Sequence, residues 1–184
     1  MKTIGIFFGS RSPEHDISIL TAMRVIAGFG ALPEYKAIPV YINRNGEWFA
    51  GEGTLGNIAF FQAPRLEERL VPYAVSSVAF ADNALMLLPP RKFFRQGRPI
   101  KIEIAFPCIH GSFGEDGTIQ GLFEMAGVPY VGCGVRASAI AMDKIKARRL
   151  LTAGGIPGVA TIEVGREEFL RDRSRIMGEV KKSF

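Results

Sequence analysis

His110-Gly111-Ser112-Phe113-Gly114-Glu115-Asp116-Gly117-Thr118-Ile119-Gln120-Gly121 is the stretch that decides how this chain is read. Ahead of it, residues 101–109 are mostly apolar and β-branched, the pattern of a buried strand. Behind it, Ile119, Leu122, Phe123 and Ala126 recur at helical spacing, and Gly127 stands where a helix C-terminus favours glycine. A core strand therefore runs through a glycine-rich loop into a helix. In open α/β sheets that junction is where ligands bind, because the bare N–H groups at the helix start are aimed at anions. The same glycines also suit a plain tight turn between strand and helix, so the loop alone leaves both readings open.

Working outward, the 184 residues are 47% hydrophobic, enough to bury the core of one domain and the start of a second. No segment is apolar for long enough to span a bilayer; Asp82 and Asn83 interrupt the best candidate, residues 75–88. The first nine residues enter a strand directly and lack a signal-peptide cleavage pattern, so a soluble, cytoplasmic protein is expected. Cys108 and Cys133 are not in metal-ligand spacing and read as reduced, small core residues. Cys108 and His110, two apart on a strand, share a face but lack a third group to orient them as a nucleophilic pair. The formal charge of +5 is spread along the chain. Its densest cluster, residues 91–98, reads as a solvated loop, and no nucleic-acid motif accompanies it.

Residues 3–8 are an apolar first strand. Ser12 then suits a helix cap, Pro13 the first helical position and Glu14 the first turn, where an acid complements the dipole. Ile19, Ala22, Met23 and Ile26 give that helix one apolar face, and Gly28 and Gly30 end it. Residues 36–42 read as a second strand in which Pro39 implies edge or irregular pairing. The turn at residues 43–46 returns the chain into a hairpin partner at 47–49. Residues 51–100 are the least legible: a helix within 58–70 limited by Pro64, and short strands at 74–80 and 84–88. After the central loop and its helix come a short strand at 128–132 and helices at 135–144 and 144–153, the latter stopped by Gly154, Gly155 and Pro157. A strand at 159–164 and a charged helical stretch at 166–182 follow. The alternation predicts an α/β fold, a mainly parallel sheet with helices on both faces, and a domain boundary near residue 135.

Glu14 follows the carboxyl end of the first strand, and His110 follows that of the strand before the central loop. If those strands are neighbours at a topological switch point, both residues face one crevice. Each also has a plainer role, Glu14 as a first-turn acid and His110 as a hydrogen-bonded turn residue. Glu115 and Asp116 suit either magnesium or the cap of the next helix. A dinucleotide fingerprint is absent, since Gly9-Ser10-Arg11-Ser12-Pro13 follows the first strand, and no P-loop occurs. Lys144 and Lys146 could be plain helix-surface cations.

Three motifs in fixed order resemble the N-terminal part of the D-alanine–D-alanine ligases of the ATP-grasp superfamily. The segment from Gly9 to Ser18 is similar to the family's G-G-x-S-x-E-h-x-(V/I)-S, with Ser10 in place of the second glycine. The central loop has every fixed position of H-G-x-x-G-E-D-G-x-x-Q-G. Tyr130-Val131-Gly132-Cys133-Gly134-Val135 resembles Y-x-G-S-G-V with cysteine for serine, and Ala141-Met142-Asp143-Lys144 follows it. Residues 44–100 match least clearly, and Gly46-Glu47-Trp48 with the insertion after it resembles the longer branch of the family.

The resemblance implies a Rossmann-like pre-ATP-grasp domain over 1–134, then over 135–184 a helical linker and the start of an ATP-grasp region. Glu14 would hold the ammonium of the first D-alanine, and His110 would face the reacting carboxylate and phosphate. Ser18 and Gly111 would complete that substrate site, and Lys144 would reach an ATP phosphate. No metal ligand is assigned within these residues. The family places the Mg2+ carboxylates, a second ATP lysine and the arginine for the tetrahedral intermediate further along, so the 184 residues are expected to be inactive by themselves. Family members commonly form homodimers through this domain. Two other readings stay open: a free-standing α/β binding or dimerisation module, and a ligase joining D-alanine to D-lactate. No nucleic acid or membrane partner is implied.

Overall fold

Lys2–Gly9 (β1) is an apolar strand with neighbours on both sides, and its period-two alternation supplies both halves of the core. The computed structural model describes residues 1–51, 53–63, 70–76, 83–89 and 98–183, in two compact units, Met1–Met142 and Asp143–Phe184. In the first unit β1 pairs in parallel with Tyr35–Ile42 (β2) on one side, and Trp48–Ala50 (β3) extends β2 antiparallel. On the other side of β1 lies the strand Ile104–Pro107, again parallel. Ile4, Ile6 and Phe8 of β1 face Ile19 and Ala22 of the helix His15–Phe29 (α1), with Leu55 of a 3-10 turn and the short helix Ile58–Phe61 (α2) alongside.

Phe7 points the other way. It is fully buried and lies 4.9 Å, ring centre to ring centre, from Phe123 of a later helix and 5.8 Å from Trp48. That face is shared with a second, antiparallel sheet of Ala74–Ser76 (β4), Leu85–Leu88 (β5) and Ile100–Ile102 (β6), whose Leu85, Leu87 and Ile102 join the same core. The mainly parallel sheet with helices on both faces is present as expected.

The apolar run before the central loop differs from the expected single strand. It divides into β6 and Ile104–Pro107 (β7), which belong to different sheets. Glu103 is the joint: its N–H donates to the Thr3 carbonyl at 2.9 Å, and its carboxylate accepts from the Thr3 N–H at 2.8 Å. A polar residue tied twice to β1 turns the chain from one sheet into the next. Pro39 pairs with Ile6 of β1, while the β3 ladder begins only at Val40, so its missing N–H falls outside that ladder. The hairpin at 43–46 forms, with the Asn43 side-chain oxygen accepting from the N–H groups of Asn45 and Glu47.

The helix Thr118–Met125 (α3) ends as its sequence predicts. Gly127 N–H reaches the Glu124 carbonyl and Val128 N–H the Phe123 carbonyl, both at 3.0 Å, the paired bonds of a Schellman motif. The strand expected at 128–132 is reduced to one bridge between Tyr130 and Ala105, since Pro129 has no N–H to offer and Gly132 leaves the extended region. Val135–Met142 (α4) closes the first unit.

The second unit holds Lys144–Ala153 (α5), Arg166–Arg171 (α6) and Arg173–Ser183 (α7). Asp143 caps α5 by accepting from Lys146 N–H, which lowers its carboxyl pKa. No strand forms over 159–164, where no described segment pairs with it. The basic cluster at 91–97 and the parts of the expected helix and strand at 64–69 and 77–82 lie outside the described residues. Among the described residues no helix is long and apolar enough to cross a membrane.

Candidate functional site

The strand order β3-β2-β1-β7 puts a topological switch point between β1 and β7, and the loops bearing Glu14 and His110 leave their carboxyl ends. The condition set by the sequence, that these two strands be neighbours, is met. Three hydroxyls then stitch the two loops together. The Ser12 hydroxyl donates to the His110 carbonyl at 2.6 Å and accepts from Glu14 N–H at 3.1 Å. Ser12 therefore does not cap α1 directly; Glu14 occupies the cap position, and Ser12 shapes the turn before it. Ser18, fully buried, donates to the Cys108 carbonyl and accepts from Gly9 N–H, each at 2.8 Å, so it spans the ends of β1 and β7 beneath the crevice. Thr21 Oγ1 lies 2.8 Å from His110 Nε2 and fixes that ring.

Gly111 is where the loops touch. With φ at +67° it occupies the left-handed region, and a Cβ there would lie 2.9 Å from Glu14 Oε1 and 3.0 Å from Ser12 Oγ. Glycine is thus required twice over, by conformation and by the approach of the carboxylate. The Glu14 side chain is exposed, and among the described residues its carboxylate has neither an ion-pair nor a hydrogen-bond partner. Gly111 N–H donates to Glu115 Oε2 at 3.0 Å, and Glu115 Oε1 lies 3.8 Å from His110 Nδ1. Two carboxylates therefore border Gly111, one unpaired and one engaged with the loop.

Asp116 settles the start of α3. It accepts from Phe113 N–H at 2.9 Å and from Thr118 N–H at 3.0 Å. Partial burial works to raise its pKa, but the bonds from Phe113 and from Thr118 outweigh it and hold the carboxyl below its ordinary value. Arg11 stacks its guanidinium 4.8 Å over the Phe113 ring, bracing the first loop against the central one. Burial pushes the Cys108 thiol up to about 12, which removes it as a thiolate nucleophile near neutral pH; Cys133 is exposed and unpaired.

The structure thus brings Glu14, His110 and Gly111 together, with Ser18 below them. Lys144 belongs to the second unit, exposed in the first turn of α5. Among the described residues no cluster of three or more His, Cys, Asp or Glu side chains could hold a metal ion. Sequence reasoning gave Thr21 no role, yet a signal was there. Glu14, Ser18 and Thr21 recur at i, i+4 and i+7, a polar stripe along one side of α1.

Comparison with known proteins gives the chain a family. The family model described as D-ala D-ala ligase N-terminus matches residues 3–133. The D-alanine–D-alanine ligase of Geobacillus kaustophilus is 33% identical over 99% of this chain and 48% of its own length. That of Thermosipho melanesiensis is 38% identical over 93% of this chain and 46% of its own. Among solved structures, the VanG D-Ala:D-Ser ligase of Enterococcus faecalis superposes with a TM-score of 0.70 at 31% identity, over 98% of this chain and 49% of that one. The D-alanine–D-alanine ligase of Coxiella burnetii gives 0.69 at 29%, over 94% and 49%. The chain spans about half the length of the curated relatives it matches. With a family match across residues 3–133 and relatives above 30% identity along nearly all of its length, the chain belongs to the D-ala D-ala ligase N-terminus family.

Proposed function

We propose that this chain supplies the D-alanine-binding portion of an ATP-dependent D-alanine–D-alanine ligase of the ATP-grasp superfamily, working in the cytoplasm on peptidoglycan precursors. The observation that carries the reading is the unpaired Glu14 carboxylate set against Gly111 at the switch point, beside a His110 ring already oriented by Thr21. An exposed, partnerless carboxylate is suited to an ammonium group, and a substrate ammonium placed there leaves the substrate carboxylate beside His110 and the loop. Residues 1–134 form the substrate domain in this account, and residues 135–184 the linker and the start of the ATP-grasp region.

In the reaction proposed, an oxygen of the first D-alanine's carboxylate attacks the γ-phosphorus of ATP and ADP departs, giving an acyl phosphate. The amine of the second D-alanine then attacks the acyl carbon, the C–O bond to phosphate breaks, and a proton is lost from the amine. Glu14 fixes the first substrate by its ammonium. His110 sits beside the charge that develops on the carboxylate, and Ser18 serves indirectly by holding the strand ends at the spacing the site needs. Positioning and charge neutralisation provide the rate. Lys144, which has no ion-pair partner among the described residues, is available to an ATP phosphate. Among the described residues no three His, Cys, Asp or Glu side chains cluster, and none of them is given a magnesium role here. Pairing of two copies through the first domain completes the proposal.

The test is D-alanine-dependent release of ADP by the polypeptide that the source cells make, wild type against Glu14→Gln. Loss of the ion pair to the substrate lowers kcat/KM on the order of 100-fold. Turnover indifferent to D-alanine, or unchanged by Glu14→Gln, would overturn the reading.

A further inference from the structure

Among the described residues, one buried side-chain polar atom has no hydrogen-bond partner: Oε1 of Gln120. The rest of this side chain is committed. Gln120 is 5% exposed in the first turn of α3, and its Nε2 donates to the Gly114 carbonyl at 2.7 Å. Gly114 is the middle of the central loop and has no room for a side chain, since a Cβ would run into the Ile109 carbonyl. Its own N–H and that of Glu115 both reach back to the Gly111 carbonyl, at 3.2 and 2.8 Å. A continuous run of bonds therefore leads from the rigid helix through Gln120 and Gly114 to Gly111, the residue that meets Glu14.

We propose that Gln120 is a positioning residue for the D-alanine site: its amide N–H latches Gly114 and so sets the height of Gly111 and His110 against Glu14, while a buried water donates to its free Oε1. The inference rests on the D-alanine reading above. Both halves follow from the cost of isolating polar groups. A buried amide oxygen without a donor is unfavourable, and a buried water making two to four bonds is the usual remedy. The latch is likewise not replaceable by packing, because what Gly114 needs at its carbonyl is a donor. Removing that donor leaves a buried carbonyl unsatisfied, and the loop relaxes toward solvent to find a partner.

The experiment uses the 184-residue chain with Gln120→Met, which keeps length and bulk but cannot hydrogen-bond, and Gln120→Glu, which turns an acceptor toward the carbonyl at neutral pH. Amide hydrogen exchange is followed by NMR at Phe113, Gly114 and Glu115, relative to amides of α1 in the same sample. D-Alanine is titrated into each protein. Both variants are expected to speed loop exchange by roughly tenfold relative to α1 and to weaken D-alanine binding by a similar factor, the equivalent of one hydrogen bond. The control is Leu55→Ala on the opposite face of the sheet. It destabilises the unit, α1 included, so the loop-to-α1 ratio does not rise, and the D-alanine affinity stays at its wild-type value. Wild-type loop exchange in both Gln120 variants would overturn the latch. A loosened loop with unchanged affinity would overturn its positioning role. Failure of the wild-type chain to bind D-alanine would instead bring down the substrate reading, with loop exchange still reporting on the latch separately.

Discussion

Residues 1–142 bury Phe7, Phe8, Phe123, Ile6, Leu85, Leu87 and Ile102 almost completely around β1, whereas among the described residues of 143–184 only Ile176 is buried. The second unit is instead dressed with charge. Arg175 contacts Glu168, Asp172 and Glu179, Arg149 meets Glu163, and Asp143 caps α5. Apolar burial scales with area and acts over the whole sheet; exposed ion pairs and caps act within a turn or two and are each weak. The first unit is thus a cooperative scaffold that can hold Glu14 against Gly111, and the second is a set of locally specified helices.

The most severe way to break this contrast is Phe7→Ala. It removes the ring packed between Trp48 and Phe123 and should cost about 3–5 kcal/mol, read as a lower denaturant midpoint for β1 and α3 signals. The amides of α6 and α7 should exchange at nearly wild-type rates in that variant; a matching loss there would join the two units energetically. Glu14→Gln sharpens the other side of the comparison. It should leave the denaturant midpoint within about 0.5 kcal/mol of wild type, as expected for an exposed side chain without a partner, while lowering D-alanine affinity at least about tenfold.

Asp116→Asn should cost about 1 kcal/mol at neutral pH by weakening the acceptor for Phe113 and Thr118. Because the folded pKa of Asp116 lies below its unfolded value, this stabilisation is complete above the ordinary carboxylate range. It falls away as the pH drops through the lowered folded value, so wild type and variant should converge in acid unfolding. Ser10, at φ +76°, stands where the family has glycine, and Ser10→Gly should raise stability by roughly 0.5–1 kcal/mol. Arg175→Ala should have the smallest effect, a barely detectable shift of the denaturant midpoint that fades with added salt, despite three acidic neighbours.

The same contrast explains what was legible in the sequence. β1, the apolar face and C-terminal end of α1, the hairpin at 43–46 and the Gly127 helix stop carry their signals locally, in alternation, spacing and turn chemistry, and each is found where the residues put it, whereas α1 starts two residues later than its cap signal implied. The convergence of Glu14 and His110 was readable as a consequence of strand order, and the structure supplies that order. Where sequence reasoning failed, the deciding partner was remote. Residues 101–109 read as one strand because apolar content is blind to Glu103 bonding Thr3, a hundred residues away, and changing sheets there. Residues 159–164 have strand composition but no described neighbour to complete a ladder, and β propensity alone does not make a strand. Ser12 and Thr21 bond to His110 across loops far apart in the chain, and only the Glu14–Ser18–Thr21 stripe hinted at their part; Gln120 bonds Gly114 just six residues back, but spacing alone does not show which way a side chain turns.

The most direct test of the central claim, that an unpaired Glu14 against Gly111 forms an ammonium site for D-alanine, is an NMR titration of D-alanine into the 184-residue chain and its Glu14→Gln variant. The account predicts saturable shifts at the amides of Glu14, His110 and Gly111 and at the His110 ring, separable because the sequence has two histidines, and their loss in the variant. Shifts that persist in Glu14→Gln, or none at these residues in the wild type, would contradict it.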